Sequence, residues 1–125
     1  MLFDTDVLIW HLRGHVRATG LLARSPERAI SVVSYMELLQ GARDKREAAN
    51  IRSFLATYDF RTIPLTENVG HRASIYVEGF GLQTGIDTID ALVAATAVEN
   101  GLTLCTANQK HYRAIRDLDL RTFRP

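Results

Sequence analysis

With 125 residues and 14.0 kDa, the chain has the length of one domain, residues 1–125, enough to bury about two-thirds of its unfolded surface around a single core. Its 46% hydrophobic, 8% aromatic and 23% charged residues, with 8 Gly and 3 Pro, exclude a disordered, collagen-like or low-complexity chain. The formal net charge of +1 selects no partner class, and the lone Cys105 excludes both an internal disulfide and a thiolate metal cluster. No apolar stretch approaches the roughly 18 to 20 residues that span a bilayer, and no basic-then-apolar leader precedes Asp4, so a cytoplasmic protein with no membrane contact is expected.

Met1-Leu2-Phe3 is a short apolar run, and Val7 to Leu12 follow as a helical stripe ended by Gly14, which predicts strand, turn, helix. Val16 to Arg24 reads as a second helix, and Ala29 to Val33 has the β-branched content of a buried strand. Ser34-x-x-Glu37 has the form of a capping box opening a helix through Leu38, Leu39 and Ala42. A further helix is expected near Ala48 to Tyr58, a third strand over Phe60 to Pro64, and a helix capped by Thr66 that runs to about Gly79. Gly79, Gly81 and Gly85 predict a loop. Ile89 to Glu99, apolar almost all round and rich in alanine, predicts a helix packed closely against a sheet and stopped at Asn100-Gly101. Leu102 to Thr106 reads as a fourth strand, Lys110 to Arg116 as a short helix, and Leu118 to Phe123 as an edge strand. Alternating strands and helices without an internal repeat predict an α/β domain with a mostly parallel sheet.

In such a sheet the strand C-termini and the following helix N-termini share one rim, where ligands bind. Asp4 ends the first strand and Asp6 begins its helix; Glu37 lies near the start of the helix after strand two; Asp87 and Asp90 open the alanine-rich helix; Thr106 and Asn108 follow strand four. Carboxylates gathered at one rim repel and must be neutralised, and oxygen donors without a cysteine pair or convergent histidines favour Mg²⁺ or Mn²⁺ over zinc. Such an ion activates water and stabilises the leaving oxygen of a phosphodiester, which points to nuclease chemistry. Of the basic residues 13 of 15 are arginine, a phosphate-pairing side chain, so a site that claims the acids leaves a basic surface around it.

Structural roles compete for each residue. Asp4, Asp6 and Asp87 can cap helices, Glu37 can complete the capping box, and Thr106 and Asn108 can be ordinary loop residues. Asp90, projecting from a first helical turn, is favoured over Asp87 as the acid of that pair. Cys105 reads as a buried hydrophobe, and His11 and His15, separated by Gly14, do not read as a metal pair. His111 is read either as a phosphate contact or as solvent-facing, and Arg43, Arg46 and Arg52 as a solvated helix face or an RNA track. Trp10, Tyr35, Met36 and Leu39 are read either as core or as a groove for a partner helix.

The segments Leu2-Phe3-Asp4-Thr5-Asp6-Val7-Leu8-Ile9, Ser34-Tyr35-Met36-Glu37-Leu38-Leu39-Gln40-Gly41-Ala42, Asp90-Ala91-Leu92-Val93-Ala94-Ala95-Thr96-Ala97 and Leu104-Cys105-Thr106-Ala107-Asn108 resemble the four ordered motifs of PIN domains, specifically the VapC-type toxins of bacterial toxin–antitoxin pairs. The resemblance implies a three-layer α/β/α domain and a Mg²⁺- or Mn²⁺-dependent endoribonuclease acting on cellular RNA. It also implies a homodimer, a cognate antitoxin that occludes the acidic pocket, and contact with DNA only through that antitoxin. Carried over by position, Asp4, Glu37 and Asp90 match the first three acids as catalytic and metal-binding residues. Asp6 and Thr106 match supporting polar positions, and Asn108 stands at the fourth acidic position, where it brings no charge. Asp87, a supporting residue outside the matched positions, compensates if its side chain reaches the rim. Two rival readings remain: a PIN-shaped binding module without catalysis, and an aspartate-based phosphatase suggested by Asp4-x-Asp6. The phosphatase would need a lysine at the site, and the chain has only Lys45 and Lys110.

Overall fold

The computed structural model describes residues Met1–Pro125. Five short strands, β1 (Leu2–Phe3), β2 (Ala29–Ser31), β3 (Arg61–Ile63), β4 (Leu104–Thr106) and β5 (Leu120–Thr122), form one sheet in the order β3-β2-β1-β4-β5. All four pairings are parallel. Parallel neighbours require crossovers, supplied by α1 (Thr5–Leu12), α2 (Val16–Arg24), α3 (Val32–Gln40), α4 (Lys45–Thr57), α5 (Glu67–Thr84) and α6 (Thr88–Glu99), and between β4 and β5 by the mostly irregular residues 107–119. No helix is long and apolar enough to cross a membrane.

Side-chain alternation along the strands divides the core into two layers. Leu2, Ala29, Ile63 and Leu104 face α5 and α6, whereas Phe3, Ile30 and Cys105 face residues of α1, α2 and α4 such as Leu8, Leu22 and Phe54. The result is the three-layer α/β/α arrangement expected from the sequence. Ala91, Ala94, Ala95 and Ala97 of α6 are wholly buried, so small side chains let this helix lie close to the sheet and to α5. Ala94→Leu overfills that space and is expected to cost about 1 to 3 kcal/mol, read as a lower urea midpoint with an unchanged slope.

Several elements depart from the expectation, each for a local reason. The strand expected over Ala29 to Val33 stops at Ser31, whose hydroxyl accepts the Val33 N–H at 3.2 Å and so caps α3. Ser34 therefore lies inside the helix, buried and without a hydrogen-bond partner, and forms no capping box with Glu37. Helix α5 continues through Gly79 and Gly81 to Thr84 instead of breaking into a loop, and ends where Gly85 adopts φ +73°. The short helix expected over Lys110 to Arg116 is a single 3₁₀ turn, Gln109–His111.

The strand order sets the position of any ligand. The chain runs outward from β1 to β2 and β3, then returns to the opposite side of β1 to lay down β4 and β5. The connections after β1 and β4 thus diverge and leave a crevice at their C-terminal ends, the usual ligand position in open α/β sheets.

Candidate active site

Register brings the first acid to that crevice. Phe3 pairs with Cys105, and the Asp4 N–H continues the ladder by donating to the Cys105 carbonyl at 2.9 Å, so Asp4 and Thr106 meet side by side. The Thr106 hydroxyl lies 3.0 Å from Asp4 Oδ2 and 3.3 Å from Asp6 Oδ2. Asp4 also caps α1, accepting the Thr5 N–H on Oδ1 at 2.9 Å. Asp6 Oδ2 accepts the Ala107 N–H at 3.0 Å, whereas Asp6 Oδ1 is buried with no partner.

The third acid arrives from α6. The Tyr112 hydroxyl stands 2.9 Å from Asp4 Oδ2 and 3.1 Å from Asp90 Oδ1, joining two carboxylates that lie far apart in sequence. His111 Nδ1 is 3.1 Å from Asp90 Oδ2, and the Asn108 amide nitrogen is 3.0 Å from the same imidazole nitrogen. Asp87 is exposed and caps α6 by accepting the Asp90 N–H at 2.9 Å, which sets the first turn from which Asp90 projects. Glu37 is exposed at the edge of this array: its Oε1 accepts the Thr5 hydroxyl at 2.6 Å and makes no bond to Asp4 or Asp90. The structure therefore brings together Asp4, Asp6, Asp90, Thr106 and Asn108. It places Glu37 one residue removed, on Thr5, and Asp87 behind Asp90.

Nothing in the sequence pattern singles out Tyr112 or Thr5. Thr5 sits between two candidate acids, a weak signal in itself. Tyr112 follows an irregular turn with no periodicity to orient it, so its inward direction is visible only in three dimensions.

Electrostatically the site is acidic and uncompensated. No lysine or arginine pairs with Asp4, Asp6 or Asp90, and His111 is their only basic contact. Burial, then the adjacent Asp6 charge, push the Asp4 carboxyl up to about 7, against the opposing pull of the Tyr112 and Thr106 hydrogen bonds. Burial also raises Asp6, partly offset by the backbone N–H groups of Ala107 and Val7. Burial first, and then the charges of Asp4 and Asp90, raise the Tyr112 phenol, which keeps its proton. A phenol has one proton to give, so it donates to only one of its two carboxylates at a time.

This donor set fits a hard divalent cation held largely by water. No three His, Cys, Asp or Glu side chains converge closely enough to hold a metal ion by themselves, so water must complete the coordination of any ion bound here. Magnesium is commonly held by one or two carboxylates while it retains several waters, and Asp4 with Asp90 supplies such a pair. The partnerless Asp6 Oδ1 is an acceptor available to a metal-bound water.

The remaining residues have structural roles. His11 bonds Thr19 at 2.8 Å and stacks on Phe54, and His15 caps α2. Cys105 is enclosed, and burial pushes its thiol up to about 11, so it is inert at neutral pH. Trp10, Tyr35 and Leu39 pack against the core, whereas Met36 is exposed. Arg46 and Arg52 are solvated, and Arg43 pairs with Glu47 at 2.6 Å. Neither Lys45 nor Lys110 bonds any of the acids, so the lysine that an aspartate-based phosphatase needs is missing from the site. A groove of about 660 Å³ leads away from Glu37, with Arg13 and Arg43 on its walls and Ile9, Leu12 and Leu38 along it.

A family model described as the PIN domain matches residues 1–117. The chain is 38% identical over 122 residues to Ribonuclease VapC10 of Mycobacterium tuberculosis, a match covering 94% of this chain and 90% of the relative. It is 32% identical to Ribonuclease VapC19 of the same organism, over 94% and 95% of the two chains. Among solved structures, a toxin–antitoxin complex from Klebsiella pneumoniae superposes with a TM-score of 0.80 at 30% identity, covering 97% of this chain and 95% of that one. VapBC2 from Rickettsia felis, bound to a DNA fragment from its promoter, shares the fold with a TM-score of 0.76 at 21% identity, over 98% of each chain. A family model that runs through all four motifs and every residue bonded around Asp4, together with relatives matched over nearly their whole length, establishes that this chain belongs to the PIN domain family.

Proposed function

We propose that the chain is the toxin of a toxin–antitoxin pair: an endoribonuclease that hydrolyses phosphodiester bonds in cellular RNA with Mg²⁺ or Mn²⁺ and is held inactive by a cognate antitoxin. The observation that carries this reading is the array of buried Asp4 and Tyr112 with half-buried Asp90 at the crevice between β1 and β4, rich in carboxylate oxygen and free of lysine and arginine. Relatives named as ribonucleases, and a toxin–antitoxin complex alike in fold and sequence, support the same assignment.

Asp4 and Asp90 would hold the ion, with Glu37 at the edge of the array and Asp6 as a supporting carboxylate. When bound, the ion supplies an activated water and charge neutralisation at the scissile phosphate. Thr106 and the Ala107 N–H fix Asp6, and Thr106 with the Thr5 N–H fixes Asp4, so the carboxylates are aimed before any RNA arrives. Asn108, bonded to His111, is a neutral group in the fourth acidic position, which favours one ion over two. Arg13 flanks the groove beside Glu37 and is placed to pair with a backbone phosphate, whereas Arg43 on the same groove is already paired with Glu47. The apolar floor of that groove, Ile9, Leu12 and Leu38, is suited to an antitoxin segment that competes with RNA, and DNA is reached only through that antitoxin. The cytoplasm, where its RNA substrates reside, is its place of action.

The test is cleavage of RNA by the purified chain freed of antitoxin. Mg²⁺ or Mn²⁺ is expected to support cutting, chelator to stop it, and Asp90→Asn to lower the rate by at least about 100-fold at unchanged circular dichroism. Metal-independent cleavage, or an Asp90→Asn variant as active as wild type, would assign the nuclease to another site or to a contaminant. A folded protein that binds RNA but never cuts it would instead be the binding module.

A further inference from the structure

Tyr112 is fully enclosed in the apolar core layer that also holds Val93, Ala94, Leu104 and Ile115. Its backbone is held as firmly: its N–H donates to the Gln109 carbonyl at 3.0 Å, and its own carbonyl accepts the Ile115 N–H at 2.9 Å. The ring cannot shift without disturbing the core, so its oxygen is close to a fixed point. The packing requires only the ring, and phenylalanine would fill the same space without burying a hydroxyl, which is costly unless bonded. The two acceptors within its reach are Asp4 Oδ2 and Asp90 Oδ1, at 2.9 and 3.1 Å.

From this geometry we infer that Tyr112 is a positioning residue for the divalent cation: a core-anchored phenol whose hydroxyl sets the separation and orientation of Asp4 and Asp90. The inference rests on the metal site proposed above. Asp4 has further restraints in Thr106 and the Thr5 N–H, whereas the Asp90 carboxylate is otherwise held only by His111, so loss of the phenol oxygen frees chiefly Asp90. Groups that orient metal ligands typically contribute about 10- to 100-fold in affinity.

The experiment is a Mn²⁺ titration of the full chain, freed of antitoxin, followed by electron paramagnetic resonance. Tyr112→Phe is expected to keep the wild-type circular dichroism and to bind Mn²⁺ at least about 10-fold more weakly. Its nuclease rate should fall at limiting Mn²⁺ and recover most of the wild-type value at saturation, a split that a purely structural role would not produce. Placing 4-aminophenylalanine at position 112 keeps a donor at the same spot and should restore affinity to within about threefold, which keeps the idea testable should Tyr112→Phe fold poorly. An unchanged affinity in Tyr112→Phe, while wild type binds one Mn²⁺ that Asp90→Asn loses, would overturn the role of Tyr112 and leave the metal site standing. Absence of Mn²⁺ binding by wild type would overturn both.

Discussion

Asp4→Asn is expected to abolish RNA cleavage and yet raise the melting temperature of the metal-free protein by roughly 10 °C at pH 7.5. Asp4 is buried beside Asp6 and Asp90 with no lysine or arginine, and burial with these neighbours lifts its carboxyl from the ordinary 3.8 to about 7. A raised carboxyl means that the folded protein holds a proton the unfolded chain releases. The contribution of Asp4 is therefore fully present below about pH 4 and is lost progressively as pH rises to about 7, a difference on the order of 4 kcal/mol. Asparagine carries no charge to desolvate. Its oxygen still accepts the Thr5 N–H, and its amide donates to the Tyr112 and Thr106 oxygens, which are then free to give their protons to Asp90 and Asp6. Melting curves in chelator at pH 4 and pH 7.5 check this: the gain should be small at the lower pH and full at the higher. Added Mn²⁺ should raise the wild-type melting temperature and leave the variant unmoved. A variant that melts below wild type at pH 7.5 would mean that the hydrogen bonds to Asp4 outweigh the cost of burying its charge.

Thr106→Val is expected to destabilise the fold by about 2 to 3 kcal/mol and to reduce cleavage, with Thr106→Ser restoring most of both. Valine matches the shape of threonine but removes the hydroxyl around which three groups gather: Asp4 Oδ2 at 3.0 Å, Asp6 Oδ2 at 3.3 Å and the Asn108 N–H at 3.0 Å. Thr106 is fully enclosed, so water cannot replace the lost partner. Urea denaturation of the three proteins measures the stability difference, and RNA cleavage at saturating Mn²⁺ measures the rest. Equal stability of the valine and wild-type proteins would show that the hydroxyl is dispensable and that backbone pairing alone positions Asp4.

What could be read from the sequence divides along a physical line. Hydrophobic pattern reports which face of an element is buried, and it sufficed for the parallel sheet, for α6 with its wholly buried alanines, and for the rim on which Asp4, Asp90 and Thr106 lie. It is weaker where one residue type serves two structures. Val32 and Val33 have the β-branched character of a strand but open α3, because Ser31 captures the Val33 N–H and ends the strand first. Gly79 and Gly81 have the character of breakers but stay helical, since neither needs a left-handed backbone, whereas Gly85 at φ +73° does and stops α5. The sequence marks Glu37 for the acidic array, and the Thr5 hydroxyl that holds its side chain at the edge of that array is not visible in the pattern. Tyr112 lay beyond reach because its direction depends on an aperiodic turn packed against a distant helix. Single-residue signals thus located the neighbourhood of the site, while its hydrogen-bond wiring is a property of tertiary packing.

The hydroxyls that hold Asp4 belong to Thr106 and Tyr112, 102 and 108 positions later in the chain. The strand that carries Thr106 must slot beside β1 before the two halves of the site can meet. A nascent chain from which β4 has not yet emerged consequently has no assembled centre, however well its earlier helices have formed. The centre is thus a late product of folding, completed only once β4 has paired with β1, and its assembly depends on the contact in the sheet that spans the greatest length of chain.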